Sequence, residues 1–224
     1  MKANSLTSHL LALSSLLSIP LLGLIYIYLN HGNGMVHSLV TDFDHQLPFL
    51  KVFVLPYLFW YPFLFIAFVY LAFKNREVFY QTLVQFNIGL LICYGFYAVY
   101  QTYVPRPVLV GDDWLLQMVR GVYSSDQPYN CFPSTHVLTT YLMMKAYLRT
   151  AGIPRMYTAA VTIVSILIIA STQFVKQHVL LDIAGAILVA EGVIYAVTRI
   201  HKGWFSKPII AKPQQSTWEG SLRR

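Results

Sequence analysis

Six long apolar runs separated by short polar connectors constrain this chain more than any other feature. They lie at about 10–29, 52–73, 78–100, 133–149, 157–174 and 179–197. Runs of this length and composition match what a helix needs to cross a bilayer. Within lipid only helices and closed barrels satisfy their own backbone polar groups. The expected fold is therefore all-α: a polytopic membrane protein built as a six-transmembrane-helix bundle. Composition agrees, since 56% of the 224 residues are apolar and 11% charged, about half the charge of a soluble domain. The first run has no small-residue cleavage site and is expected to stay as an anchor. Residues 1–200 should form the membrane domain. The stretch 201–224, rich in Lys, Pro, Gln and Ser, should be a basic cytoplasmic tail without fixed structure.

The net charge of +7 does not point to nucleic acid, because the basic residues sit between the apolar runs rather than along one stripe. With both termini on the inner side, all 16 lysines and arginines fall inside except Lys51, Arg106, Arg120 and Lys176. The positive-inside rule then predicts a multi-pass protein of the cell membrane with both termini cytoplasmic. Cys93 lies in an apolar run and Cys131 in a polar loop, too few for a disulfide framework or a zinc ribbon. His31, His37 and His45 fit no ligand spacing and are expected to be solvated connector residues. Leu39, Val40, Phe43 and Leu47 have the spacing of a short interfacial helix.

This orientation gathers three polar stretches on the outer side: Arg106-Pro107, Pro133-Ser134-Thr135-His136, and Ser171 through Asp182. The last breaks two apolar runs with Lys176, His178 and Asp182, and ionisable groups at such depth are costly enough to mark function. If the chain is helical from His178 onward, His178 and Asp182 share a face. The carboxylate can then hold one ring nitrogen and leave the other free to attack or bind.

Together the three stretches resemble the signature of the type-2 phosphatidic acid phosphatase superfamily, K-x6-R-P, P-S-G-H and S-R-x5-H-x3-D. The resemblance implies a six-helix membrane core that acts on lipid phosphates without a metal or other cofactor. Three positions depart from the pattern: Val99 stands where the lysine would be, Thr135 replaces the glycine and Thr172 the arginine. Lys176, four residues beyond Thr172, would share its face on a continuous helix and supply the missing charge. The Ser-Thr form of the third motif also resembles the inositol phosphorylceramide synthase branch, which transfers a phospho-head group to an alcohol.

Phosphoryl transfer from an ester needs a nucleophile, an acid for the departing alkoxide and donors for the phosphoryl oxygens. The expected nucleophile is His178, oriented by Asp182. His136 is the expected acid and then base. Arg106, Lys176, Ser134, Thr135 and Ser171 are the expected phosphate-binding residues, with Pro133 opening the helix that follows. Two histidines and a carboxylate are also a metal-ligand set, but cations converging on them would repel a metal ion. A transporter is a further alternative, although transporter sites lie near the midplane on broken helices. The expected partners are a lipid phosphate substrate and the bilayer, with no nucleic acid. Lys145 and Glu191 each lie nine residues past a motif residue, roughly 13 Å inward along helices running the same way, so an ion pair between them is expected.

Overall fold

The computed structural model describes residues 2–32 and 34–205. Among these residues the chain is all-helical, and the β contacts are the isolated bridges His37–Thr102 and Tyr103–Tyr129. The first apolar run is two helices, α1 (Lys2–Ser15) and α2 (Ser18–Leu29), joined by a turn at Leu16 and Leu17. A connector with the short helix α3 (Asp42–Gln46) follows; Thr41 and Asp44 cap its first turn reciprocally. The second run opens as a single 3-10 turn, continues as α4 (Val54–Leu58) and then as α5 (Trp60–Lys74). Pro62 has no N–H to offer the Leu58 carbonyl, which accounts for the break between them. Asn75 accepts from the Val78 N–H and starts α6 (Arg76–Val99).

The loop from 100 to 134 holds a helix that the sequence reading left out, α7 (Trp114–Ser125). Its signal was legible: Asp113 caps it by accepting from the Leu115 and Leu116 N–H groups. Leu116, Val119 and Val122 are buried along one stripe. The remaining helices are α8 (Thr135–Arg149), α9 (Arg155–Phe174) and α10 (Leu180–Phe205). α10 thus continues past residue 200, where the membrane domain was expected to end; the rest of the tail, 206–224, lies outside the described residues.

Among the described residues five stretches, not six, are long and apolar enough to cross a membrane: Thr7–Leu29, Lys51–Lys74, Arg76–Val99, Arg155–Phe174 and Leu180–Ile200. The exception is α8, whose 15 residues span roughly 22 Å. It is the central helix, packed on α5, α6, α9 and α10. Leu138, Leu142 and Met143 of α8 are fully buried with Phe68 of α5 and Phe79 and Phe86 of α6.

Lys145 of α8 and Glu191 of α10 form the expected ion pair, at 2.6 Å. Tyr141, one turn before Lys145, donates its hydroxyl to the same carboxylate oxygen at 2.6 Å. Near the opposite end of α8 the Ser134 N–H donates to the Asp182 carbonyl at 3.3 Å. These contacts hold α8 and α10 in register along their length, and both of their first turns face the same end of the bundle.

Candidate active site

The end of the bundle where α8 and α10 begin collects the three motifs. α9 stops at Phe174 and α10 starts at Leu180, so Val175 through Val179 form a tight turn rather than a helix. The Thr172 carbonyl accepts from the Gln177 and His178 N–H groups, at 3.0 and 3.1 Å. Lys176 adopts the left-handed conformation, with φ 55°, that such helix ends require. This corrects the expectation of a continuous helix carrying Thr172 and Lys176 on one face. It also means that His178 precedes α10 rather than belonging to it.

The His178–Asp182 contact forms nonetheless. Nδ1 of His178 lies 3.2 Å from Asp182 Oδ2 and 3.1 Å from the Cys131 carbonyl. Two acceptors and no donor face Nδ1, so it carries the proton and Nε2 the lone pair. Asp182 is fully buried and also accepts from the Val179 N–H at 2.9 Å. That bond makes it a cap of its own helix start.

His136 sits in the first turn of α8, behind Ser134, whose hydroxyl accepts from the Val137 N–H at 3.3 Å. Ser134 is therefore the N-cap, and Pro133 stands outside the helix instead of in its first turn. The His136 ring lies between two aromatic faces, Trp60 at 4.0 Å and Tyr57 at 4.6 Å, and 5.8 Å from the His178 ring. Its Nδ1 is buried without a hydrogen-bond partner.

A cavity of about 370 Å³ opens beside these groups, lined by Arg106, Lys176, His178 and Gln173 from the motif segments and by Asp44 and His45 from the connector. The Arg106 guanidinium lies over the Tyr123 ring at 4.3 Å. It donates to the carbonyls of Tyr123 and Asp126 and to Gln177 Oε1, the last at 2.6 Å. Lys176 Nζ donates to the carbonyls of Asp44 and Leu47 at 3.1 and 2.6 Å. Burial lowers the Lys176 pKa, and the Asp44 charge opposes it only in part.

Asp44 is a site-end residue that sequence reading passed over. It is 7% exposed, and its carboxylate accepts from the Thr41 N–H and hydroxyl and from the Leu180 N–H. Burial alone would raise its pKa, but those hydrogen bonds hold it below the usual carboxylate value. The connector therefore ties down the start of α10 and the Lys176 turn at once. His31 and His45 are exposed, as expected of connector histidines, although His45 also lines the cavity; His37 is half-buried and stacks on Tyr100 at 4.2 Å.

The remaining expected phosphate ligands separate. Ser134 and Thr135 are buried at the α8 start, close to His136. Ser171 is fully buried, and its hydroxyl donates to the Ile168 carbonyl at 2.6 Å. Its one proton is turned into α9, away from any ligand. Thr172 likewise donates to the Ile169 carbonyl. Val99 is on the surface, 84% exposed. A larger open groove of about 540 Å³, at the α8–α9 turn, has Arg155 as its charged residue and none of the motif residues.

Among the described residues, Cys131, His178 and Asp182 could hold a metal ion, with ligand atoms within 4.8 Å of one another. This is not the two-histidine set weighed from the sequence. Burial, helped by the Asp182 charge, pushes the Cys131 thiol well above its ordinary pKa. A neutral thiol is a poor metal ligand, and His178 Nδ1 already faces two acceptors.

An all-helical bundle with several membrane-length apolar helices, and two histidines, a buried carboxylate and two cations at one end, fits a membrane phosphatase-like protein. The PAP2 superfamily model matches residues 100–206, a stretch that contains all three motifs. That match supports the type-2 phosphatidic acid phosphatase superfamily, whose members are in general phosphatases and phosphotransferases. No curated protein and no solved structure matches the chain.

Proposed function

We propose that the protein is an integral membrane lipid phosphatase that hydrolyses a phosphomonoester or diphosphate of a membrane lipid through a phosphohistidine. One observation carries this reading: His178 has its Nδ1–H pinned by Asp182 and the Cys131 carbonyl, while the ring lines a cavity shared with Arg106 and Lys176. Nε2 attacks phosphorus, the bond from phosphorus to the lipid oxygen breaks, and His136 gives its proton to the departing oxygen. His136 then takes a proton from water, whose oxygen attacks phosphorus. The N–P bond breaks and phosphate leaves. Arg106 and Lys176 offset the charge on the phosphoryl oxygens, with the Ser134 hydroxyl and the first N–H groups of α8 as further donors.

In this reading α8 is the sixth span, short because protein rather than lipid surrounds it. Its start lies against Asp182, and its far end reaches the Ala67 carbonyl of α5 through the Tyr147 hydroxyl at 2.9 Å. The basic residues then put both termini in the cytoplasm and the active site at the extracytoplasmic face of the cell membrane. A site at the end of the bundle suits a substrate whose tail stays in the bilayer.

The test is phosphate release from a panel of lipid phosphates by purified protein in detergent, with chelator present, comparing wild type with His178→Ala. Chelator-resistant release that the substitution abolishes is expected; release that persists in His178→Ala would refute the mechanism. Thr172 in the arginine position favours one second reading, transfer of the phosphoryl group to an alcohol. It predicts product only when an alcohol acceptor is added.

A further inference from the structure

The cradle around the cavity has cations but few free donors. Lys176 Nζ already gives protons to the Asp44 and Leu47 carbonyls. Arg106 gives them to Tyr123, Asp126 and Gln177. The positions that carry the lysine and arginine of the superfamily signature hold Val99, exposed at the surface, and Thr172, bonded back into α9. A phosphoryl group bound here would find positive charge and too few hydrogen bonds.

Besides His136 Nδ1, the buried nitrogens at this end that lack any hydrogen-bond partner include Arg106 Nε, Gln173 Nε2 and Gln177 Nε2. A buried donor left unpaired costs free energy and is rare enough to require an explanation. Gln173 lines the cavity and is 6% exposed. Gln177 is 4% exposed, and its amide cannot be reversed, because Oε1 accepts from Arg106 and only the nitrogen remains to donate. The two amides flank the Lys176 turn, one at the end of α9 and the other just before His178.

We propose that the side-chain amides of Gln173 and Gln177 are phosphate-binding donors, neutral groups doing the work of the lysine and arginine that this chain lacks. The proposal rests on the phosphoryl-transfer reading of the same cavity. Gln177 has two parts: its oxygen positions Arg106 and its nitrogen bonds the phosphoryl group.

The probe is inorganic phosphate, its binding to purified protein in detergent followed by phosphorus NMR line broadening. Gln173→Met and Gln177→Glu are each expected to weaken binding by roughly tenfold or more, the loss expected for one hydrogen bond to a charged group. Gln177→Glu keeps an acceptor for Arg106 and removes the donor but adds a charge, so Gln173→Met is the sharper variant. If Gln173→Met does not fold, Gln173→Leu removes the donor without adding charge and should show the same loss. Wild-type affinity in Gln173→Met and Gln177→Glu would overturn the proposal, as would a wild type that binds no phosphate. Phosphate binding that depends on both glutamines, in a protein that releases no phosphate from any lipid, would uphold the cradle and refute the hydrolase reading.

Discussion

Gly185 lies on α10, three residues past Asp182, facing Phe132 of the loop that leads into Pro133 and His136. A Cβ built there would sit 2.7 Å from Phe132 Cζ and closer still to Cε2. Carbon atoms pack at about 3.5–4.0 Å, so Gly185→Ala forces the ring or the helix aside by about 1 Å. The ring is half-buried and held on one side. Phe96 meets it edge-on at 5.6 Å, and the Phe132 N–H donates to the Thr102 hydroxyl at 2.8 Å. Overpacking of this kind costs about 1–3 kcal/mol. The displacement passes directly into the Pro133-to-His136 segment, so the two histidines separate. A misplacement of about 1 Å can lower the rate roughly a hundredfold. The assay is thermal unfolding in detergent alongside kcat for phosphate release. Gly185→Ala should lose both, and a second substitution, Phe132→Leu, should restore part of each by making room. An alanine variant with wild-type stability and kcat would refute the packing argument. So would a double variant no better than the single one.

Two other predictions follow from polar groups. Lys176→Ala should weaken substrate binding, and in the wild type the cation's contribution is present at low pH and lost as pH rises through its pKa. Because burial lowers that pKa, the alkaline limb of kcat/KM should begin below the ordinary lysine value of 10.5; Lys176→Arg should move the limb upward, and an unshifted limb would assign it to another group. Lys145→Met and Glu191→Gln remove the two sides of one 2.6 Å ion pair, so their stability costs should fall short of additivity by about 0.5–3 kcal/mol in a double-mutant cycle, and strict additivity would count against coupling.

Much of the molecule was legible in one dimension because its causes are local in sequence. Apolar length marked the spans, since a bilayer accepts little else. The Lys145–Glu191 pair followed from equal depth along parallel helices. His178 and Asp182 were found by a spacing that survives even though His178 precedes its helix, because Asp182 reaches back to cap that helix start. α7 was missed although Asp113 and a 3.6-residue stripe announced it, because its run is too short to be a span.

What the tertiary structure alone decided lies in contacts between distant segments. Nothing in the sequence says that Asp44 reaches the start of α10, that Tyr57 and Trp60 enclose His136, or that Gln177 shares a hydrogen bond with Arg106. Nor does spacing reveal that the hydroxyls of Ser171 and Thr172 turn inward while Gln173 and Gln177 keep unpaired donors. A hydrogen-bonding side chain has several partners within reach of its own helix, and only the packed positions of the other helices determine which one it takes.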